Sequence, residues 1–267
     1  MPSVVKRPQL ALAPAQALRP ALRRPSSRAV TAAAAALAAL GLFYLAARET
    51  PLFAVRELEI TGAPPPVRAE VERSARRYLG KSLVALDGDE LRRRLTALPS
   101  VRSLRYDRAF PHTLRLVVVP EVAGAVVRSG ATSWLVSERG RVLRALKAGE
   151  ASAFPRIWVP AGAGLAPGGL LRTRQARLAL AAVVQLPAGF PVAIRAARAS
   201  EGQITLVSRS GIEIRLGDRS AVALKLAVAA RVLRRLTAAE RSSLAYLDLT
   251  VPDHPVGADK SQVSTSA

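Results

Sequence analysis

Apolar residues recur at strand or helix spacing over most of the chain after residue 51. In residues 52–61 apolar and polar positions alternate with one slip, which predicts a strand with room for a bulge. Val67, Val71 and Ala75 then follow at four-residue intervals. This spacing predicts an amphipathic helix, which Gly80 closes.

A second helix is predicted at residues 88–97, where Asp87 is placed to cap the first turn. Residues 101–108 and 113–119 alternate again and predict two strands joined by a turn. The order strand, helix, helix, strand, strand predicts a small α+β domain over residues 52–121.

Residues 122–252 are predicted to form a second, β-rich domain with two helices. Short runs of branched apolar residues, separated by glycine and proline turns, predict its strands. These predicted strands are residues 122–128, 134–136, 142–145, 157–159, 192–197, 204–207, 212–216 and 244–251. The helices are predicted at residues 173–185 and 220–236, and the polar residues 253–267 are predicted to be a disordered tail.

The chain before these domains contains an uncharged segment, residues 29–47. As a helix it would extend over about 28 Å, close to the roughly 30 Å of a bilayer core, so we predict a single transmembrane helix. Residues 1–28 contain six cations, five prolines and no acid, which predicts a disordered basic tail. Basic residues that flank a transmembrane helix favour the cytoplasmic side of the membrane. We therefore expect a cytoplasmic N-terminus and extracytoplasmic domains after Arg48.

Two other interpretations of this segment are a cleaved signal peptide and an alanine-rich soluble helix. A signal peptide needs a small residue at the third position before the cut, but Tyr44 and Leu45 occupy that position for cuts after Ala46 and Ala47. The apolar side chains give a modest but favourable insertion energy. A retained anchor is therefore favoured.

The composition excludes several kinds of chemistry. The 267 residues contain no cysteine, which excludes disulfides, thiolate metal sites and a cysteine nucleophile. A net charge of +21 would ordinarily indicate an anionic partner, but thirty-five of the forty basic residues are arginine, a bias typical of GC-rich coding. Aromatic residues, at 4%, are too sparse for a nucleic-acid stacking platform. We expect no nucleic-acid binding and only weak contact with anionic lipid or wall polymers.

Two glycine motifs fail as nucleotide sites. The tripeptide Gly80–Ser82 is similar to the end of a phosphate-binding loop, but Ala75 stands where that loop needs its first glycine. Gly162 and Gly164 begin a dinucleotide fingerprint that fails at Pro167.

The candidate catalytic residues also have simpler interpretations. His112 lies in a turn and His254 in the predicted tail, and neither has a spaced ligand partner. Asp87, Asp89 and Glu90 could imitate the carboxylate pair of a glycan hydrolase, but Asp87 with Glu90 fits a helix capping box. We predict that the protein is not an enzyme and has no cofactor and no metal site.

Four short motifs connect the first domain to a known family. They are the strand from Phe53 to Gly62, the step Gly80-x-x-Leu83, the sequence Leu98-Pro99-x-Val101, and Arg108-x-x-Pro111-x-Thr113-Leu114 leading into a strand that ends at Glu121. With these motifs, residues 52–121 resemble a POTRA domain of the FtsQ/DivIB family of bacterial cell division proteins. Pro120 departs from the family pattern, in which glutamate more often follows the strand directly.

The end of the second domain resembles the same family in residues 211–217, in Lys225-Leu226 and in residues 245–249. Thr250 stands where the family pattern has an arginine. The resemblance implies a non-catalytic scaffold in the inner membrane at the division septum, which helps to control septal peptidoglycan synthesis. It further implies recruitment of FtsB and FtsL through the C-terminal region, and of other divisome proteins through the POTRA domain and the transmembrane helix.

The last predicted strand, residues 244–251, is the candidate partner site. If no later strand pairs with it, it is a sheet edge, and an edge accepts a partner strand through backbone hydrogen bonds. Strand alternation places Tyr246, Asp248 and Thr250 on one face and Leu247, Leu249 and Val251 on the other. We predict these six residues as partner-binding; the plainer alternative is that the two faces are simply core and solvent.

Two other functions remain open at this stage. A membrane-anchored POTRA chaperone or secretion accessory would bind many extended client segments weakly and would not concentrate at the septum. A membrane-anchored wall hydrolase would lose its turnover on substitution of Asp87 or Asp89.

Overall fold

The computed structural model describes residues 27–49, 51–150 and 153–261. The described residues fall into two compact units, one ending at Glu49 and the other beginning after it. The predicted basic tail lies outside the described residues except for its last two positions, which belong to the first helix.

The first unit is helix α1, Ser27–Glu49, which contains the uncharged segment. Its larger apolar side chains are exposed: Leu37 by 70%, Leu40 by 64%, Leu42 by 69% and Phe43 by 62%. Among the described residues, no helix combines the length and the mean hydropathy that a membrane crossing requires.

The second unit begins with a three-stranded sheet covered by two helices. Its elements are β1 (Glu57–Thr61), α2 (Pro65–Ala75), α3 (Gly88–Thr96), β2 (Val101–Ala109) and β3 (Thr113–Pro120). The sheet order is β1-β3-β2, with β1 parallel and β2 antiparallel to β3. The predicted order of strand, helix, helix, strand and strand is confirmed.

These elements enclose an apolar core of their own. Leu91 and Leu95 of α3 and Leu114 and Leu116 of β3 are fully buried. The predicted N-cap is present: the Asp87 carboxylate accepts hydrogen bonds from the backbone N–H groups of Asp89 and Glu90, at 2.8 and 3.0 Å.

The chain then builds a nine-stranded mixed sheet. Its strands are β4 (Ala123–Ser129), β5 (Thr132–Ser137), β6 (Val142–Ala145), β7 (Arg156–Val159), β8 (Ile194–Ser200), β9 (Gln203–Ser208), β10 (Glu213–Gly217), β11 (Leu244–Asp248) and β12 (Val256–Asp259). The order across the sheet is β12-β11-β10-β9-β8-β7-β4-β5-β6. The helices are α4 (Arg174–Val184), α5 (Val222–Arg235) and α6 (Ala238–Ser243).

Helices α4 and α5 cover one face of this sheet. Their buried residues form a single apolar cluster with inward side chains of the strands, including Ile157, Leu206, Ile214 and Leu247. The opposite, open face carries polar and charged side chains together with the aromatic rings of Trp158 and Tyr246. The chain therefore has a mixed α+β fold with two separate cores.

Arg141 connects the two parts of the second unit. Its guanidinium donates hydrogen bonds to the carbonyl oxygens of Thr96 and Ala97, both at 3.2 Å, and to that of Val101 at 3.4 Å. The first two carbonyls belong to the C-terminal end of α3, where intrahelical donors are lacking. Arg141 thus caps a helix of the first domain from the second.

Some of the predicted elements differ from the structure. Residues 51–53 form a 3-10 turn and β1 begins only at Glu57, because Pro51 favours the first turn of a helix. Helix α6 was not predicted. The predicted disordered tail from residue 253 contains the ordered strand β12, and residues 262–267 lie outside the described part.

Candidate functional site

The C-terminal edge of the large sheet is the candidate site. Strand β11 runs parallel to β10, with Tyr246 opposite Glu213, and antiparallel to β12, with Tyr246 opposite Ala258. The expectation that residues 244–251 form the sheet edge is therefore wrong. Strand β12 is the last strand in the sheet order, so its outer side is the unpaired edge within the described residues.

The six predicted site residues differ in how accessible they are. Leu247 and Leu249 point into the core and are 2% and 0% exposed. Tyr246 and Asp248 are half-buried, whereas Thr250 is exposed and Val251 is 54% exposed. Tyr246, Asp248 and Leu249 are thus placed by the sheet, and Val251 lies beyond the end of β11.

A groove runs beside the unpaired edge. It has a volume of about 370 Å³ and lies between α5, α6 and the two last strands. Its apolar lining residues are Val232, Leu236, Leu244, Leu247, Pro255, Gly257 and Ala258, and its polar ones are Glu240, Ser243 and Asp259. We call the outer side of β12 together with this groove the C-terminal edge. Its open strand and apolar recess are the two features that strand addition requires.

The end of β12 is held to the neighbouring helix by polar contacts. The Ser243 hydroxyl donates to Asp259 Oδ1 at 2.9 Å, and the Lys260 ammonium donates to the Ser242 carbonyl oxygen at 2.7 Å. These contacts position a strand of only four residues.

Arg215 links β10 to β11 on the open face of the sheet. Its guanidinium carbon lies 4.0 Å from the centroid of the Tyr246 ring, and Nη2 lies 3.2 Å from Glu213 Oε2. Glu213 also pairs with Arg198 at 2.6 Å. A cation over an aromatic face is attracted to the ring, so this contact favours the observed position of Tyr246.

The loop after β10 supports the segment that carries Thr250. Gly217 has a φ of +66°, and a Cβ there would lie 2.9 Å from Thr250 Cγ2, so glycine is required on both grounds. The following residue, Asp218, accepts hydrogen bonds from Ser220 and from the buried ammonium of Lys225. These bonds, that from the Ser220 hydroxyl foremost, lower the pKa of Asp218 to about 2.

The other candidate residues have structural roles. Bonding to the N–H groups of Glu90 and Asp89 lowers the pKa of Asp87, so this carboxylate serves α3 as a cap. His112 Nδ1 lies 3.3 Å from the Ala54 carbonyl oxygen, and the backbone N–H of His254 donates to Val251. No cluster of three or more metal-ligating side chains occurs in the described part of the chain.

The tripeptide Gly80–Ser82 packs against the start of the first domain. The backbone N–H of Gly80 donates to the Val55 carbonyl oxygen at 2.8 Å, and the Lys81 ammonium lies 5.4 Å from the Tyr78 ring centroid. This tripeptide is part of a structural turn.

Sequence reasoning missed β12 and the groove beside it. The strand is the sequence Val-Gly-Ala-Asp, which offers one branched apolar residue and follows Pro255. A usable signal was the pair Thr237 and Glu240, which forms the capping box of α6 and so places a helix wall next to the last strands.

The two-domain architecture defines the class of protein: a POTRA domain followed by a mixed sheet. Residues 53–119 match the family model described as the POTRA domain, FtsQ-type. Residues 125–250 match the model of the cell division protein FtsQ/DivIB C-terminal domain. The chain therefore belongs to the FtsQ/DivIB family of cell division proteins. No curated protein matches the chain significantly.

Proposed function

We propose that the protein is a non-catalytic, membrane-anchored scaffold of the divisome that captures FtsB and FtsL at the C-terminal edge. The observation that carries the proposal is the unpaired outer side of β12 next to an apolar groove of about 370 Å³. Membership of a cell division family supports the cellular role. Other divisome proteins would bind the POTRA domain and α1, and the complex would act at the septum to control peptidoglycan synthesis.

Partner capture would proceed by strand addition. The unpaired N–H and C=O groups of β12 would bond to an extended partner segment, which gives affinity without a requirement on side chains. Alternate partner side chains would face the groove, where Val232 and Leu236 offer apolar contacts. Of the six predicted partner-binding residues, Tyr246, Leu247, Asp248 and Leu249 would support β12 from the neighbouring strand, while only Thr250 and Val251 are exposed enough to contact a partner.

The test measures capture of the external segments of FtsB and FtsL by the full chain in detergent. Adjacent residues of a strand direct their N–H groups to opposite sides, and proline has no N–H group. Of the two variants Gly257→Pro and Ala258→Pro, one therefore removes a hydrogen-bond donor from the outer side of β12. The other removes a donor on the side that faces β11. We expect the outer-side variant to lose capture with unchanged circular dichroism.

Leu170→Ala is the matched control for loss of exposed apolar area, because Leu170 is 64% exposed and does not line the groove. Unchanged capture by both folded proline variants would show that the partners do not add to β12. Equal weak binding of many unrelated extended peptides would instead support the chaperone alternative.

We also propose that α1 anchors the chain, with residues 1–28 in the cytoplasm and the domains after Arg48 outside. The support is that its leucine and phenylalanine side chains are more than half exposed and that it carries no charge between Arg28 and Arg48. Carbonate extraction of membranes tests the anchor, and protease protection of an N-terminal epitope tests the orientation. Release of the full chain by carbonate would contradict the anchor while leaving the C-terminal edge untouched.

A further inference from the structure

A second surface lies on the open face of the large sheet, on β4 and β7. Arg128 of β4 is directly opposite Trp158 of β7, and Val126 is opposite Arg156. Because β7 directs Ile157 and Val159 into the core, Arg156 and Trp158 face solvent. Trp158 is 53% exposed, which leaves a large aromatic surface in contact with solvent. This residue does not belong to the C-terminal edge.

The cations around this tryptophan are not neutralised. Arg128, Lys147 and Arg156 have no carboxylate within ion-pair distance in the part of the chain that the structure describes. The Nε–H of Arg128 donates to the Gly130 carbonyl oxygen at 3.1 Å, which orients its guanidinium. The nearby acid Glu150 is already paired with Arg144 and also accepts from the backbone N–H of Lys147.

A cleft of about 600 Å³ connects these cations. Arg128, Lys147 and Arg156 line it together with polar residues such as Thr132 and Ser133, and the half-buried Leu146 adds some apolar area. Trp158 is not part of the cleft lining but lies on the neighbouring strand, opposite Arg128. Positive groups next to the exposed ring of Trp158 are complementary to a segment that carries both carboxylates and an apolar side chain. We call Arg128, Lys147, Arg156 and Trp158 the Trp158 surface.

We infer that the Trp158 surface is a docking site for an acidic protein segment that also carries aromatic or aliphatic residues. Arginine and tryptophan are the residues that most often dominate protein interfaces, and guanidinium groups bind carboxylates through paired hydrogen bonds. In the sheet order, β10 to β8 separate β7 from β11. The site is thus distinct from the C-terminal edge and would allow a second partner, or a second part of one partner, to bind at the same time.

The test uses the full chain in neutral detergent, with poly-L-glutamate and a glutamate–tyrosine copolymer as probes. The chain has only two tryptophans, so a Trp134→Phe background reports Trp158 fluorescence alone. We expect both probes to change that fluorescence, with the copolymer binding more tightly. Arg128→Gln with Arg156→Gln should weaken binding about tenfold, and Trp158→Ala, followed by calorimetry, should remove the advantage of the copolymer.

The matched control is Arg68→Gln with Arg105→Gln, which removes the same charge from exposed positions of the first domain. Equal weakening by the two pairs would overturn the inference, because binding would then follow net charge alone. Tighter binding of polygalacturonate or of phosphatidylglycerol vesicles than of the copolymer at Trp158 would also overturn it, in favour of an acidic glycan or a lipid surface.

Discussion

At the scale of single residues, Lys225 and Asp218 form an ion pair with unequal partners. Lys225 is 1% exposed, and its ammonium lies 2.9 Å from Asp218 Oδ1, whereas the side chain of Asp218 is 62% exposed. Loss of the exposed carboxylate leaves a buried cation without its counter-charge, while loss of the lysine charge leaves a carboxylate that water can solvate. The stability effects of the two substitutions should therefore differ.

We predict that Asp218→Ala lowers the Tm more than Lys225→Met does. Asp218→Ala leaves the buried ammonium without its counter-charge and should lower the Tm by about 3–6 °C. Lys225→Met keeps the length of the apolar stem and should lower the Tm by about half of that or less. Differential scanning calorimetry of the two variants measures the order. A larger loss for Lys225→Met would contradict the argument that an unpaired buried ammonium is the costlier defect.

Asp218 also predicts part of the acid sensitivity of the fold. Its pKa in the folded chain is about 2, below the ordinary value of 3.8, so the folded state favours the ionised carboxylate. This stabilisation is complete above about pH 4 and is lost as the pH falls through 3.8 toward 2. Chemical denaturation at several pH values should therefore show a shallower loss of stability between pH 4 and 2 in Asp218→Asn than in the parent chain. Parallel curves for the two proteins would contradict this.

At the scale of elements, Arg141 makes a contact that a lysine cannot reproduce. Three hydrogen bonds, to Thr96, Ala97 and Val101, use two guanidinium nitrogens at once. We predict that Arg141→Lys and Arg141→Met both raise the rate of amide hydrogen exchange at residues 96–101 several-fold. Neither side chain can make the three hydrogen bonds that the planar guanidinium group makes. Arg177→Lys, at an exposed position of α4, is the control. Restored protection in Arg141→Lys would show that charge alone holds the junction.

The elements that were predicted correctly have strong local signals. Helix α3 was located by Asp87 and by its leucines, and its cap and buried face are those expected. Strand β12 could not be predicted from the sequence, because four residues with one branched side chain show no measurable alternation of apolar and polar positions. The segment adopts a strand conformation because it pairs with β11. Helix α6 was overlooked although its capping box was present in the sequence.

The candidate site was predictable only as a region. The alternation of apolar and polar residues from Tyr246 to Leu249 correctly predicts which side chains face the core and which face away from it. This succeeds because α5 buries one face of the strand, and burial of that face sets the strand register. The position of the free edge depends on how the chain after residue 251 pairs with β11, and the groove depends on how α5 and α6 pack beside it. Neither can be obtained from local sequence patterns, since both are set by tertiary contacts.

At the scale of the whole molecule, the second unit contains two separate apolar cores. Residues 55–118 contribute to one buried cluster and residues 125–249 to the other. Besides Arg141, the junction includes the bond from the Glu121 N–H to the Ser100 carbonyl oxygen at 2.9 Å. Domains with separate cores and a small polar junction tend to unfold independently. A partner bound at the C-terminal edge would then stabilise the second domain with little effect on the first.

Matched cavities test this independence. Leu91→Ala and Leu206→Ala each remove a fully buried leucine, one from each core, and should each cost about 2–5 kcal/mol in the domain concerned. We predict that Leu91→Ala raises hydrogen exchange in β2 and β3 while β9 and β10 keep their protection, and that Leu206→Ala does the reverse. Exchange followed by mass spectrometry on the full chain gives both readouts in one experiment. If either cavity weakens both sheets equally, the cores unfold as one cooperative unit, and a partner at the C-terminal edge would be coupled energetically to the POTRA domain.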